Sequence, residues 1–229
     1  MCQDSAIVPV ITIDGPAGVG KTTLARRMAD SLNVSYMDTG AMFRCWALKL
    51  GAGAEKQDEE SLRCQCAAWQ FTLSGSGAGT TLLCAGQPVR NEVRTETVGM
   101  LASRLATVPV IRELLKAAQQ HMGAHMPLVV EGRDMGTVVF PQARFKFFLD
   151  ASPEVRAMRR LRELEERGER PQLSELTEQI RKRDSMDRTR AVAPLRAATD
   201  AVVVDTSSLD IDGVLGVMMH HISVHGGLR

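Results

Sequence analysis

The chain has 229 residues, 44% hydrophobic and 24% charged, with 28 Lys and Arg against 27 Asp and Glu, a formal charge of +1. This composition supplies a sizeable core and excludes disorder over the full length. The near-neutral balance provides no global field for a nucleic-acid polymer or an anionic membrane surface, so any basic chemistry must be local.

The length suits one nucleotide-sized α/β core carrying a smaller insertion. Five cysteines (Cys2, Cys45, Cys64, Cys66, Cys84) show no disulfide-scaffold spacing, and no secretory leader is read before the first strand. No run approaches the roughly 18 to 20 apolar residues a membrane-spanning helix needs. A soluble protein of a reducing cytoplasm is the expectation.

In chain order, residues 8–13 form a short apolar run ending at Asp14 and Gly15, which predicts a buried parallel strand leading into a turn. Leu24, Met28 and Leu32 recur every four positions, predicting an amphipathic helix to about Asn33. Residues 34–37 read as a second strand, and Asp38, Thr39 and Gly40 cap a helix over AMFRCWALKL that carries Arg44. From Gly51 the texture changes, and residues 53–105 read as an inserted lobe whose hairpin-bearing part spans 53–95. Within it, GSGAG at 75–79 precedes no helical pattern and predicts a hairpin turn, not a dinucleotide site.

Residues 97–125 are helical in pattern, interrupted at Pro109, and residues 127–130 begin a strand that runs into EGRDMG. Residues 144–149 form another strand before a long charged stretch, residues 201–205 the last strand, and 209–222 a closing helix. Short strands alternating with helices predict a parallel α/β sheet with helices on both faces, built from residues 1–52 and 106–229.

Gly15, Pro16, Ala17, Gly18, Val19, Gly20, Lys21, Thr22 and Thr23 match the phosphate-loop pattern G-x-x-x-x-G-K-[ST] between a strand and a helix. The glycines turn backbone N–H groups inward around phosphate oxygens, and the helix N-terminus adds partial positive charge. Lys21 would reach the β and γ phosphates of ATP, and the Thr22 hydroxyl would serve Mg²⁺. The guanine-reading N-K-x-D of GTPases is absent. Arg44 in DTGAMFR, Arg133 in EGRDMG, and Arg183, Arg188 and Arg190 in RKRDSMDRTR offer planar forks for an anionic acceptor. Arg44 and Arg133 follow strand C-terminal ends, the edge where open α/β sheets bind ligands.

With YMDTGAMFR, EGRDMGTVVFP and RDSMDRTRAVAPL beside ITIDGPAGVGKTT, the chain resembles the bacterial-type cytidylate kinases over nearly its whole length. The resemblance implies a P-loop NTPase three-layer sandwich, an inserted acceptor lobe with a small antiparallel sheet, and a helical lid over residues 156–171. It implies transfer of the γ-phosphoryl of ATP to CMP or dCMP by a Mg²⁺-dependent, cytoplasmic monomer, with a UMP kinase as the alternative. Arg44, Arg133 and Arg190 would hold the CMP phosphate, with Thr39 nearby. Ser103, Arg112 and Asp134 would read cytosine, and Arg183 and Asp187 would hold the ribose hydroxyls.

In the lid, one or more of Arg159, Arg160 and Arg167 would touch the transferring phosphates, alongside Lys21 and Arg133. Without that resemblance, the same stretch reads as a solvated helix supported by Arg159–Glu163 and Arg162–Glu166 pairs four residues apart. An acceptor phosphate oxygen is already a nucleophile near neutral pH, so no dedicated base is expected. Phe43 departs from the tyrosine common in the family, and Lys-Thr-Thr from the usual Lys-Gly-Thr or Lys-Ser-Thr; neither removes a charge that transfer needs. His121 and His125 share a helix face without an evident third ligand, and no metal role is assigned to them.

Overall fold

A computed structural model describes residues 8–166 and 168–228. Its frame is a five-stranded parallel sheet in the order β2-β6-β1-β7-β8. The strands are β1 (Val10–Asp14), β2 (Ser35–Asp38), β6 (Leu128–Gly132), β7 (Phe145–Asp150) and β8 (Val202–Asp205). The central strand β1 is buried along its whole length, as its β-branched run VITID requires when both faces are covered.

Alternation along the strands divides the core into two layers. Ile11, Ile13, Val129 and Tyr36 pack with Leu24 and Met28 of α1 (Lys21–Leu32) and with Val214 and Met218 of α8 (Ile211–Val224). Val10, Met37, Leu128 and Val130 face the other way, onto Met42 of α2 (Thr39–Leu50) and Ile111 and Leu115 of α5 (Pro109–His125). This gives the three-layer P-loop sandwich expected from the sequence.

The insertion contributes α3 (Glu59–Ala67), α4 (Glu96–Leu105) and a small antiparallel sheet. That sheet is β3 (Phe71–Ser74), β4 (Thr81–Cys84) and β5 (Gln87–Pro88), of which the sequence announced the first two. Its apolar residues Leu62, Cys66, Phe71, Cys84, Val93 and Val98 join the same core layer as Met37 and Val130. The glycine-rich hairpin turn is docked on α1 and β2: Gly77 N–H donates to the Val34 carbonyl at 2.8 Å, and Tyr36 N–H to Thr80 Oγ1 at 3.1 Å. A Cβ at Gly77 would lie 2.7 Å from the Asp30 carboxylate, so the turn closes there only with glycine.

Two further helices, α6 (Pro153–Glu165) and α7 (Leu173–Thr189), form a helical hairpin over the sheet's C-terminal edge around Ala157, Leu164 and Leu176. Because all five strands are parallel, Asp14, Asp38, Gly132, Asp150 and Asp205 end at that one edge. The phosphate loop, the start of α2 and the GRDMG turn are thereby brought together.

Candidate active site

The loop between β1 and α1 turns where its glycines allow it. Gly15 has φ 151°, and a Cβ there would meet the Leu149 carbonyl oxygen at 2.2 Å. Gly20, the N-cap of α1, has φ 93° and supplies no side-chain cap. The first amides of α1 therefore have no capping side chain competing with an anion for them. Residues 18–23 line a cleft of about 500 Å³ together with Glu131, Arg159, Thr206 and Ile211.

Lys21 is buried and its Nζ donates to the Pro16 carbonyl at 2.6 Å. Burial, and next the charge of Arg133, hold its pKa well below the ordinary lysine range. Glu131 and Asp14 offset this only in part, and a triphosphate in the cleft would add counter-charge. Beside it, Thr22 and Glu131 line the same cleft, and the buried Glu131 carboxylate accepts from the Tyr36 hydroxyl. Burial, and then the Asp38 carboxylate, raise the Glu131 pKa.

These are oxygen donors of the kind a hard cation takes. Among the described residues no group of three or more His, Cys, Asp or Glu side chains could hold a metal ion. Mg²⁺ keeps several waters and binds mainly through nucleotide phosphates, so the oxygens of Thr22 and Glu131 fit it.

Asp14 couples the strand before the phosphate loop to the GRDMG turn. Its carboxylate accepts from Met135 N–H at 2.9 Å and Gly136 N–H at 2.8 Å, fixing the single π-helical turn Met135–Val139 that follows GRD. Burial nevertheless raises its pKa to about 6.

On the acceptor side, Arg133 Nε donates to Asp187 at 2.8 Å. Burial would raise the Asp187 pKa, but Arg133, with Arg183 and Arg190, outweighs it and the net shift is downward. Arg183 is partly buried, its enclosed Nε has no hydrogen-bond partner, and burial, then Arg133 and also Arg44, bring its pKa down to about 10. Arg133 and Arg44 thus both repel Arg183, an arrangement that a dianion would relieve.

Asp134 sits between Arg112, to which it is tightly ion-paired, and Arg190 at 3.4 Å. Arg190 Nε also donates to the Ala193 carbonyl at 2.6 Å. The Arg112 guanidinium lies 5.7 Å from the centroid of the Phe43 ring, a contact that needs the ring and no hydroxyl. Ser103 donates to the Gly99 carbonyl at 3.0 Å within α4. Buried Thr39 donates to the Glu131 carbonyl at 2.7 Å, joining the start of α2 to β6.

The arginines of α6 divide. Arg156 is fully buried and donates to the Asp184 carboxylate with two nitrogens, one at 3.0 Å, and to the Ala17 carbonyl at 3.0 Å, so it anchors the phosphate loop. Arg159 turns to Thr206, donating to its Oγ1 at 3.1 Å at the rim of the cleft. It is Arg160 that pairs with Glu163, at 3.0 Å, where the four-residue spacing pointed to Arg159. Arg160 also reaches Glu96 of α4 at 2.8 Å. Arg167 lies outside the described residues.

Sequence reasoning assigned no role to Asp14, Tyr36, Glu131 or Arg94. Arg94 pairs with Asp38 at 2.9 Å, while Asp38 caps α2 through Ala41 N–H. The signal for Glu131 was its place one residue before GRD; its pairing with Tyr36 depends on strand register, which sequence does not carry.

A family model described as cytidylate kinase matches residues 11–224. A cytidylate kinase of Nitratidesulfovibrio vulgaris is 62% identical over 223 residues, covering 97% of this chain and 96% of that protein. Another, of Oleidesulfovibrio alaskensis, is 55% identical over 92% of this chain and 96% of its own length. Among solved structures, a shikimate kinase from Bacteroides thetaiotaomicron superposes with a TM-score of 0.47 at 15% identity, covering 95% of this chain and 98% of that one.

Proposed function

The chain belongs to the cytidylate kinase family, and from that premise we propose that it transfers the γ-phosphoryl of ATP to CMP or dCMP, giving ADP and CDP or dCDP. The observation that carries this reading is the placement of the GRD turn, with Arg133 paired to Asp187 and Asp134 held by Arg112 and Arg190, on the edge that also holds the phosphate loop. Two anionic substrates must meet there, and a partly desolvated arginine cluster offsets their repulsion.

In this reading residues 15–23 bind ATP, with the loop amides on its phosphates and Lys21 on the β and γ groups. Arg44, Arg133 and Arg190 hold the acceptor phosphate near Thr39, and an acceptor oxygen attacks in line. Arg133 would touch both phosphates once Asp187 turns to the ribose beside Arg183, a role its present pairing with Asp187 supports. Arg159, at the rim of the cleft, and Arg160 stabilise charge on the transferring group. Mg²⁺, when bound with ATP, would neutralise β and γ phosphate charge, and Thr22 with Glu131 beside it would hold the ion or its waters.

Ser103, Arg112 and Asp134 read the base. The Asp134 carboxylate accepts only, so a cytosine amino group satisfies it, whereas the carbonyl of uracil would leave it facing a second acceptor. Residues 53–105 serve as the acceptor lobe and 156–171 as the lid, with Arg156 as the fixed hinge end. In this reading the enzyme works as a cytoplasmic monomer.

Arg133→Ala tests the reading. It should lower kcat/KM for CMP on the order of 10²-fold, the scale of losing one charge-stabilising donor, while equilibrium ATP binding stays near wild type. Unchanged CMP kinetics would remove Arg133 from the site.

A further inference from the structure

We propose that Tyr36 is a positioning residue for the metal–nucleotide half of the site: its hydroxyl holds Glu131 so that the carboxylate faces the Thr22 hydroxyl and the phosphate-loop cleft. The inference rests on the reading that Thr22 serves Mg²⁺.

In the β2–β6 register Tyr36 lies opposite Val129 and Asp38 opposite Glu131. Tyr36 and Glu131 therefore leave adjacent strands on the same face, two residues apart along the sheet. The phenol is 4% exposed, and its hydroxyl donates to Glu131 Oε1. Three contacts fix the donor itself: its backbone N–H is held by Thr80 Oγ1 at 3.1 Å, the Arg26 guanidinium of α1 lies 5.2 Å from its ring centroid, and the ring packs in the α1-side core.

Glu131 has competing neighbours. Asp38 repels it, Lys21 attracts it, and Thr22 lines the cleft beside it. Lys21 is occupied by the Pro16 carbonyl. The Tyr36 hydroxyl occupies one carboxylate oxygen from the strand side, which directs the other lone pairs toward α1 and the cleft that Glu131 lines. Residues that orient a group beside a metal commonly set its affinity even though they never touch the ion. Tyr36 acts in this way, and the insertion's turn, through Thr80, is its outer support.

The test compares the full chain with Tyr36→Phe, Glu131→Gln and the double variant. Two quantities are read: Mn²⁺ bound in the presence of ADP, by electron paramagnetic resonance, and the free Mg²⁺ giving half-maximal rate at saturating ATP and CMP. Tyr36→Phe should weaken both on the order of tenfold, leave KM for CMP unchanged, and lose nothing further when combined with Glu131→Gln. An unaltered Mn²⁺ affinity, with or without a lower thermal midpoint, would make Tyr36 purely structural and overturn the proposal. Losses that add in the double variant would overturn it too, because Tyr36 would not be acting through Glu131. Failure of the kinase reading looks different: the wild type would bind Mn²⁺ and ADP without turning over CMP.

Discussion

Two effects oppose each other at Asp14. Backbone amides of Met135 and Gly136 favour the carboxylate, but its complete burial wins and raises the pKa from the ordinary 3.8 to about 6. The folded state thus holds the proton more tightly than the unfolded chain. Its contribution to stability is full below about pH 4 and is lost as pH rises through 6, a swing on the order of 3 kcal/mol. Comparing urea unfolding of the wild type and Asp14→Asn between pH 4 and 7 isolates it: the stability difference should drift with pH in that window and flatten above it. A pH-independent difference would contradict the assignment. The two amide bonds also explain why a strand-ending Asp14, read from sequence only as a boundary, governs the shape of the GRDMG turn 121 and 122 residues away.

At the scale of elements, α6 shows the limit of charge patterns. Its sequence, PEVRAMRRLRELE, reads as a solvated helix, and charged residues are seldom buried unless paired. Arg156 is buried because Asp184 of α7 meets it, and no local spacing encodes a partner 28 positions on. Arg156→Ala would leave Asp184 without its main charge partner in a largely buried site, at a cost of about 3–5 kcal/mol in unfolding free energy. Arg156→Lys should recover little, since an ammonium cannot reproduce the paired contacts of the guanidinium. Denaturant midpoints would check this; a loss below about 1 kcal/mol, the scale of an exposed pair, would show that the anchor is dispensable. By contrast, α1 and the parallel strands were legible, because apolar periodicity and strand-loop-helix order are local properties. The third insert strand, only two residues long, carried no such signal.

Across the molecule, the donor half of the site was readable as one contiguous motif. The acceptor half was readable only as scattered arginines until a resemblance joined them. Their convergence follows from five parallel strands ending at one edge, a topological fact. The insertion's integration into the core was hidden as well: its apolar residues join the sheet's own core layer, and its Gly-rich turn seats on α1 and β2. The proposed base-reading set, Ser103, Arg112 and Asp134, spans both segments.

The central claim, that this edge moves a phosphoryl group from ATP to a cytosine nucleotide, is tested most directly by measuring ADP release in a coupled assay with CMP, dCMP, UMP and AMP as acceptors. CMP and dCMP should be fastest, with UMP slower by on the order of 10²-fold or more, because the Asp134 carboxylate would face an acceptor. Equal rates with UMP, or ADP release indifferent to any acceptor, would contradict the account.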